Sequence, residues 1–427
     1  MRSLLLFAAA LGTFLPAGIA RSEISPPRPT HPLAHDIYVW QRQHGPAVSA
    51  SVRAHAATFQ TVVALAAEIS WEKSPAASAP TPLLTRVALD WSSLATAPRL
   101  GLALRINARP GRPTRADDGL STVLALTRAV LADAAAHRVR VAELQIDCDA
   151  PTSRLADYRL WLEALRAAVA PVPLVFTALP AWLDSPDFAT LARSADGFVL
   201  QVHSVTRPRD ARAPFSLCDP AAALAAIARA ARVGVAFRVA LPTYGYFFAF
   251  APDGRFAGLA AEGPRRDWDA SFTVREVQAD PGELARLVRA LATDPPSALT
   301  GVIWYRLPVA TDSLNWSWPT LAAVMQGRPP VPRLRLDPRA TAAGLTEIFL
   351  HNDGDGDLAA PVRLRIRWAG SPPLAADALG PFSITQEDAA SLVLAAPLCR
   401  LPAGRHAPVG WLRLTPTARP PDVSLEN

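Results

Sequence analysis

Hydrophobic positions along this chain follow two alternating periods. Short runs with every second residue apolar read as strands, and longer runs with apolar residues three and four apart read as helices. Strand-like segments lie at Ile37 to Gln41, Thr61 to Trp71, Leu100 to Asn107, Leu144 to Asp149, Leu174 to Leu179, Gly197 to His203, Val235 to Leu241 and Gly301 to Tyr305. Helix-like segments fall at Ala47 to Ala57, Leu120 to Ala136, Arg154 to Ala168, Ala221 to Arg232 and Pro281 to Ala292. Strands separated by helical connections over residues 35–328 predict an α/β fold, a (β/α)8 TIM-like barrel. A doubly wound open sheet competes with it, but no Gly-rich nucleotide loop follows the first strand.

The pattern changes after Gly327. A proline-rich joint at Pro329 to Pro332 leads into short alternating segments at Arg333 to Leu336, Glu347 to His351, Val362 to Trp368, Ser391 to Leu394 and Trp411 to Leu414. These predict a small all-β, sandwich-like domain over 329–427. Within it, Asp353-Gly354-Asp355-Gly356-Asp357 lacks the EF-hand spacing, with Leu364 where the last glutamate belongs. It reads as a hairpin turn, since Asp-Gly supplies positive φ angles.

Several predicted barrel strands turn polar towards their ends. Glu143, Gln145, Asp147 and Asp149 share one face of their strand, with Leu144, Ile146 and Cys148 on the other. Gly101 and Ala103 precede Arg105 and Asn107, and Gln201 and His203 end the sixth strand. Val62, Ala64 and Ala66 lie on the side expected for Glu68. In a barrel such ends converge on the carboxyl-terminal face, where these folds place their sites. Asp-x-Asp capping the next helix is the structural alternative.

Composition narrows the partners. Half of the residues are hydrophobic and the formal charge is +6, but a single lysine, Lys73, accompanies arginines scattered among acids, so no nucleic-acid patch is expected. Arg2, an apolar run from Leu4 to Leu15 and the small-x-small site Gly18-Ile19-Ala20 predict a secretory signal over 1–20, followed by a linker over 21–34. No cysteine follows the site for a lipid anchor, no second membrane-spanning stretch is read, and a periplasmic or secreted location is expected. Cys148, Cys218 and Cys399 are far apart and odd in number, which implies no disulfide framework.

Two resemblances enter at the later strands. Ala240-Leu241-Pro242-Thr243-Tyr244-Gly245 is similar to a strand of the family 18 glycoside hydrolases, the chitinase-like barrels, and Gly301-Val302-Ile303-Trp304 resembles their last strand. Asp147-x-Asp149 resembles the core of their acidic signature. From Tyr38-Val39-Trp40-Gln41-Arg42 onward the chain is more similar to a bacterial domain of unknown function, family 3142, which implies no activity. The chitinase-like resemblance implies the barrel, a cleft and two platform residues, Tyr244 and Trp304. It stops short of the chemistry: Pro151 stands where that family has its acidic glutamate, Leu144 replaces the first aspartate, and His203-Ser204 replaces Tyr-Asp.

The candidate chemistry is glycoside hydrolysis, which needs a proton-holding carboxyl and a second carboxylate. Asp147 and Asp149 have Cα atoms about 6.6 Å apart from strand rise alone. Asp149, nearer the mouth, is the expected acid, with Asp147 or Glu68 as partner. Arg105, Asn107, Gln201 and His203 are expected to bind hydroxyls, and Trp40, Tyr244 and Trp304 to stack on rings. An oligo- or polysaccharide is the expected partner. Asp147, Asp149 and His203 could hold a divalent ion, but without an HxxEH or HExxH pair or a Cys/His cluster neither a metal nor a cofactor is expected. No G-x-S-x-G elbow supports a serine nucleophile. The competing readings are a catalytically silent glycan-binding protein and an envelope scaffold.

Overall fold

The computed structural model describes residues 33–72, 81–107, 118–204, 206–261, 268–342, 344–415 and 418–426. The expected signal, nearly all of the linker and Lys73 lie outside the described residues. Eight parallel strands close on themselves: Ala34–Val39, Val62–Glu72, Leu100–Ile106, Val141–Cys148, Leu174–Ala178, Gly197–Gln201, Phe237–Pro242 and Leu299–Tyr305. The first strand completes the ring, pairing with the last (Ile37 to Trp304) and with the second (Ile37 to Val62). These are the strands that the period-two pattern predicts.

Helices cover the ring because their apolar residues recur on one face. In Leu155–Val169 the buried set is Leu155, Tyr158, Trp161, Leu162, Leu165 and Val169. Asp219 and Asp280 cap the helices Pro220–Ala231 and Pro281–Thr293, accepting from Ala222 N and Glu283 N. Asp118–Ala136 contains an 18-residue window, Gly119–Ala136, apolar enough to cross a membrane by length and composition. By that measure it departs from the expectation of no second stretch of membrane-spanning length. Here it packs Leu120, Val123, Leu126, Val130 and Ala134 into the barrel's outer core.

The strand faces sort into two layers. Tyr38, Val63, Leu65, Ala103, Val175, Val199, Ala240 and Ile303 fill the inside, while Ile37, Val62, Ala64, Leu102, Leu144 and Val302 face the helices. One expectation fails. Val62, Ala64 and Ala66 point outwards, away from the side that Glu68 takes, because the pairing between the second and third strands shifts register between Leu65 and Ala67. A bulge inserts one residue and inverts the alternation after it.

Two elements escape the pattern. Thr81–Arg86 runs antiparallel to the second strand, and between the seventh and eighth strands the chain builds a three-stranded antiparallel sheet from Gly245–Phe250, Phe256–Ala260 and Thr273–Gln278.

Beyond the barrel, two four-stranded antiparallel sheets enclose one apolar core. Leu345–Asn352 alternates strictly, burying Thr346, Ile348, Leu350 and Asn352. The Asp353–Asp357 run is not a hairpin: the strand before it belongs to one sheet and Leu358–Arg367 after it to the other. Its glycines serve close approach, not positive φ. A Cβ on Gly354 would lie 2.2 Å from the Val331 carbonyl oxygen. Its aspartates fasten the loop on three sides, Asp357 accepting from Ser317 N of the barrel at 2.8 Å and from Ala403 N of the β-region at 2.9 Å, and Asp355 from Val331 N of the joint at 2.7 Å. Gly354→Ala is therefore expected to cost about 1–3 kcal/mol, the range of overpacking. Urea unfolding measures it; an unchanged midpoint would show that the loop yields freely.

Candidate functional site

A cavity of about 190 Å³ opens at the carboxyl ends of the strands. The first strand and the residue after it supply Tyr38 and Trp40; the third and fourth supply Arg105, Asp147 and, just past its end, Asp149. Thr177 comes from the fifth strand and Gln201, His203 and Ser204 from the sixth and its loop. Tyr244, Tyr246 and Tyr305 close the far side. Period-two geometry explains most of this, since every inward residue at a strand end reaches the same mouth.

The acidic pair is held by one guanidinium. Arg105 Nη1 donates to Asp147 Oδ2 at 2.9 Å, and its Nη2 lies 3.6 Å from Asp149 Oδ2. Thr177 Oγ1 donates to the other oxygen of Asp147 at 2.7 Å. Burial pushes the Asp147 carboxyl above the ordinary carboxylate range, against the pull of Arg105 and the Thr177 hydrogen bond. Asp149 differs: its side chain is 52% exposed. Asp147 is thus the buried member of the pair, and Asp149, the expected acid, is the one that faces solvent.

Aromatic rings and a histidine form the opposite wall. Trp40 meets Tyr38 edge-on at 5.1 Å and Tyr305 at 5.5 Å. His203 stacks on Tyr305 at 5.6 Å, and its Nδ1 lies 3.3 Å from the Tyr244 hydroxyl. Burial pushes the His203 imidazole down to about 3, so it is neutral at physiological pH. Tyr244 Oη also sits 3.0 Å from Tyr246 Oη, which is 2.9 Å from Ser204 Oγ.

Under the pocket, a line of polar contacts runs down the barrel axis. Tyr38 donates to Gln145 Oε1 at 2.6 Å, and Gln145 Nε2 donates to Glu143 Oε1 at 2.6 Å. Arg238 then bridges Glu143 and Asp36, each at 2.7 Å, and Thr61 N donates to Asp36 at 2.7 Å. Since its amide nitrogen is committed to Glu143, Gln145 presents its oxygen to Tyr38, and the Tyr38 hydroxyl offers the pocket only its lone pairs.

Of the sequence-derived candidates, Trp40, Arg105, Asp147, Asp149, Gln201, His203 and Tyr244 share the cavity. Three do not line it. Trp304 is fully buried in the outer layer, donating from Nε1 to His35 Nδ1 at 3.1 Å, because on its strand Ile303 and Tyr305 take the inward positions. Glu68 pairs bidentately with Arg42 at 2.8 Å on the rim. Asn107, just past its strand, is exposed, and its carbonyl accepts from Trp71 Nε1 at 2.9 Å. Tyr38, Thr177 and Tyr305 were missed although each shares the inward parity of its strand; Tyr246 had no such signal, since it reaches the mouth from the added sheet. Among the described residues no group of three or more His, Cys, Asp or Glu is arranged to hold a metal.

Residues 102–310 match the family model of a domain of unknown function, DUF3142. The DUF3142 match spans the third to eighth strands and so carries Asp147, Asp149, Gln201, His203, Tyr244 and Tyr305, while Tyr38 and Trp40 precede it. Residues 336–415 match a second domain of unknown function, DUF8456. No curated protein matches the chain. Among solved structures, the chain is similar to a chitinase from Chromobacterium violaceum (14% identity, TM-score 0.46, covering 69% of this chain and 98% of that one). It is also similar to the Bacillus cereus spore cortex-lytic enzyme SleL (11%, 0.41, 65% and 71%) and to a GH18 chitinase from Cycas revoluta in complex with (GlcNAc)4 (13%, 0.39, 69% and 97%).

Proposed function

We propose that this pocket binds a sugar ring of a bacterial glycan and hydrolyses its glycosidic bond. The observation that carries the reading is a buried Asp147, its carboxyl raised by burial, beside an exposed Asp149, bridged by Arg105 and faced by Trp40, Tyr244 and Tyr305. Two carboxyl groups in unlike environments are what acid-assisted glycoside cleavage requires. Asp147 donates its proton to the departing oxygen as the C1–O bond breaks, Asp149 stabilises the positive charge developing at C1, and a water oxygen then bonds to C1 while its proton returns to Asp147. Tyr38 accepts from a ring hydroxyl and the aromatic wall holds the apolar face of the sugar. Export through a cleaved N-terminal signal belongs to the same proposal, and mass spectrometry of the mature N-terminus tests it.

Incubation with cell-wall and exopolysaccharide panels tests the hydrolase. Sugar release is expected, and Asp147→Asn should lower its rate about 10²–10⁴-fold, as loss of a general acid does. The rate should fall with rising pH as Asp147 loses its proton, since its carboxyl titrates above the ordinary range. Arg105, whose guanidinium lies against both carboxyl groups and favours their charged forms, supports a second reading: a glycan-binding protein without turnover. Saturable binding that survives Asp147→Asn, with no product from any glycan, would replace the hydrolase by that reading.

A further inference from the structure

At the opposite end of the barrel lies a groove of about 900 Å³, formed by the connections that lead into the third, fourth and fifth strands. Leu131, Val139, Val141 and Val172, all half-buried, present its larger apolar side chains, with Leu94 and Leu100 buried beneath them. The remaining lining side chains are alanines and prolines, except for three arginines, Arg99, Arg138 and Arg140. All three are exposed and none has a carboxylate partner among the described residues. The nearby acids are already engaged, Asp133 by Arg86 and Asp196 by Arg166.

Arg138 carries a second signal. The helix Asp118–Ala136 ends with Val139 N donating to Ala134 O and Arg138 N to Ala135 O, both at 2.9 Å, the paired bonds of a Schellman cap. The cap residue is left-handed, and here Arg138 takes φ 60° where glycine would be free of strain. A guanidinium is kept at the groove's edge against a backbone preference, as strained residues at binding sites often are.

We propose that this groove docks the protein on a membrane surface by taking an acyl chain of an anionic phospholipid, with its phosphate held by Arg99, Arg138 and Arg140. Guanidinium groups match phosphate oxygens bidentately. Apart from the arginines the lining side chains are all apolar, which suits an acyl chain, while the three guanidinium groups beside them suit the phosphate at its head. Docked this way, the glycan pocket at the other end of the barrel faces away from the bilayer. The proposal is independent of what that pocket does.

Co-sedimentation of the full chain with vesicles tests it. Binding is expected to mixed phosphatidylglycerol–phosphatidylcholine vesicles and not to pure phosphatidylcholine, and it should weaken with salt. Replacing Arg99, Arg138 and Arg140 together by alanine should weaken binding about a hundredfold, from about fivefold for each charge. Arg138→Gly should weaken it about fivefold while leaving the unfolding temperature unchanged or raised, a combination that a purely structural arginine would not give. Ala97→Trp fills the groove without changing charge and should also abolish binding, with thermal unfolding confirming that it folds. Undiminished binding by the triple variant or by a folded Ala97→Trp would overturn the proposal. So would equal binding to both vesicle types, or preference for a soluble peptide of alternating glutamate and leucine.

Discussion

Replacing Arg238 with alanine is expected to destabilise the protein by about 3–5 kcal/mol, the cost of breaking a buried ion pair and stranding its partners. Arg238 sits inside the barrel with its side chain 11% exposed, between Asp36 at 4% and Glu143 at 9%. Without the guanidinium, two carboxylates face each other in a space that water barely reaches. Burial already holds the Asp36 carboxyl above its ordinary range even with Arg238 present. Its loss removes the attraction that holds Asp36 down and raises that carboxyl further in the folded state. A carboxyl whose folded pKa lies above its unfolded value takes up protons on folding, so the variant should regain stability as pH is lowered through the folded value. Urea unfolding at neutral and mildly acidic pH measures both effects. Adding Asp36→Asn and Glu143→Gln should recover most of the loss at neutral pH, since neutral groups need no counter-ion. A loss under about 1 kcal/mol would mean that water enters the barrel and solvates the acids.

Acid should unfold the wild-type protein through two histidines. Burial pushes the His35 imidazole down to about 4 and that of His203 down to about 3, while unfolded histidine titrates near 6.5. The unfolded chain therefore binds protons that the folded protein refuses. Their stabilisation is complete above pH 6.5 and is lost as pH falls, down to about 4 for His35 and about 3 for His203. At pH 5 each should have cost about 2 kcal/mol, about 4 kcal/mol together. Burial lowers His44 and His55 as well, in the same direction. Asp36 and Asp147 act oppositely, because their raised carboxyls take up protons in the folded state first. His35→Gln keeps an acceptor for Trp304 Nε1 and removes the titration, so the gap in stability between pH 7 and pH 5 should shrink by about 2 kcal/mol. Chemical denaturation across that range tests it. An unchanged gap would mean that His35 is solvated.

Much of the site was legible because barrel geometry makes strand parity a positional code. Arg105, Asp147, Gln201 and His203 were placed at the mouth by counting along strands of period two, and the cavity contains all of them. The same rule, extended one residue at a time, would have found Tyr38 from Trp40 and Tyr305 from Ile303. It failed where a motif was allowed to override parity. Resemblance to another family's strand implies a platform at Trp304, yet its neighbours on both sides point inward, which leaves it only the helical layer.

What the sequence determined by itself was therefore periodic: eight strands, the helices that cover them, the alternating strands beyond, and which side of a regular strand each residue takes. Periodicity is a local property, fixed by backbone geometry within a few residues. Only the tertiary structure decided the rest. The bulge that inverts the second strand depends on pairing with Leu100–Ile106. Tyr246 reaches the pocket through a sheet inserted between two barrel strands. Which of the two aspartates is buried is set by the closed ring around them, and no count of residues along a strand contains that distance from water.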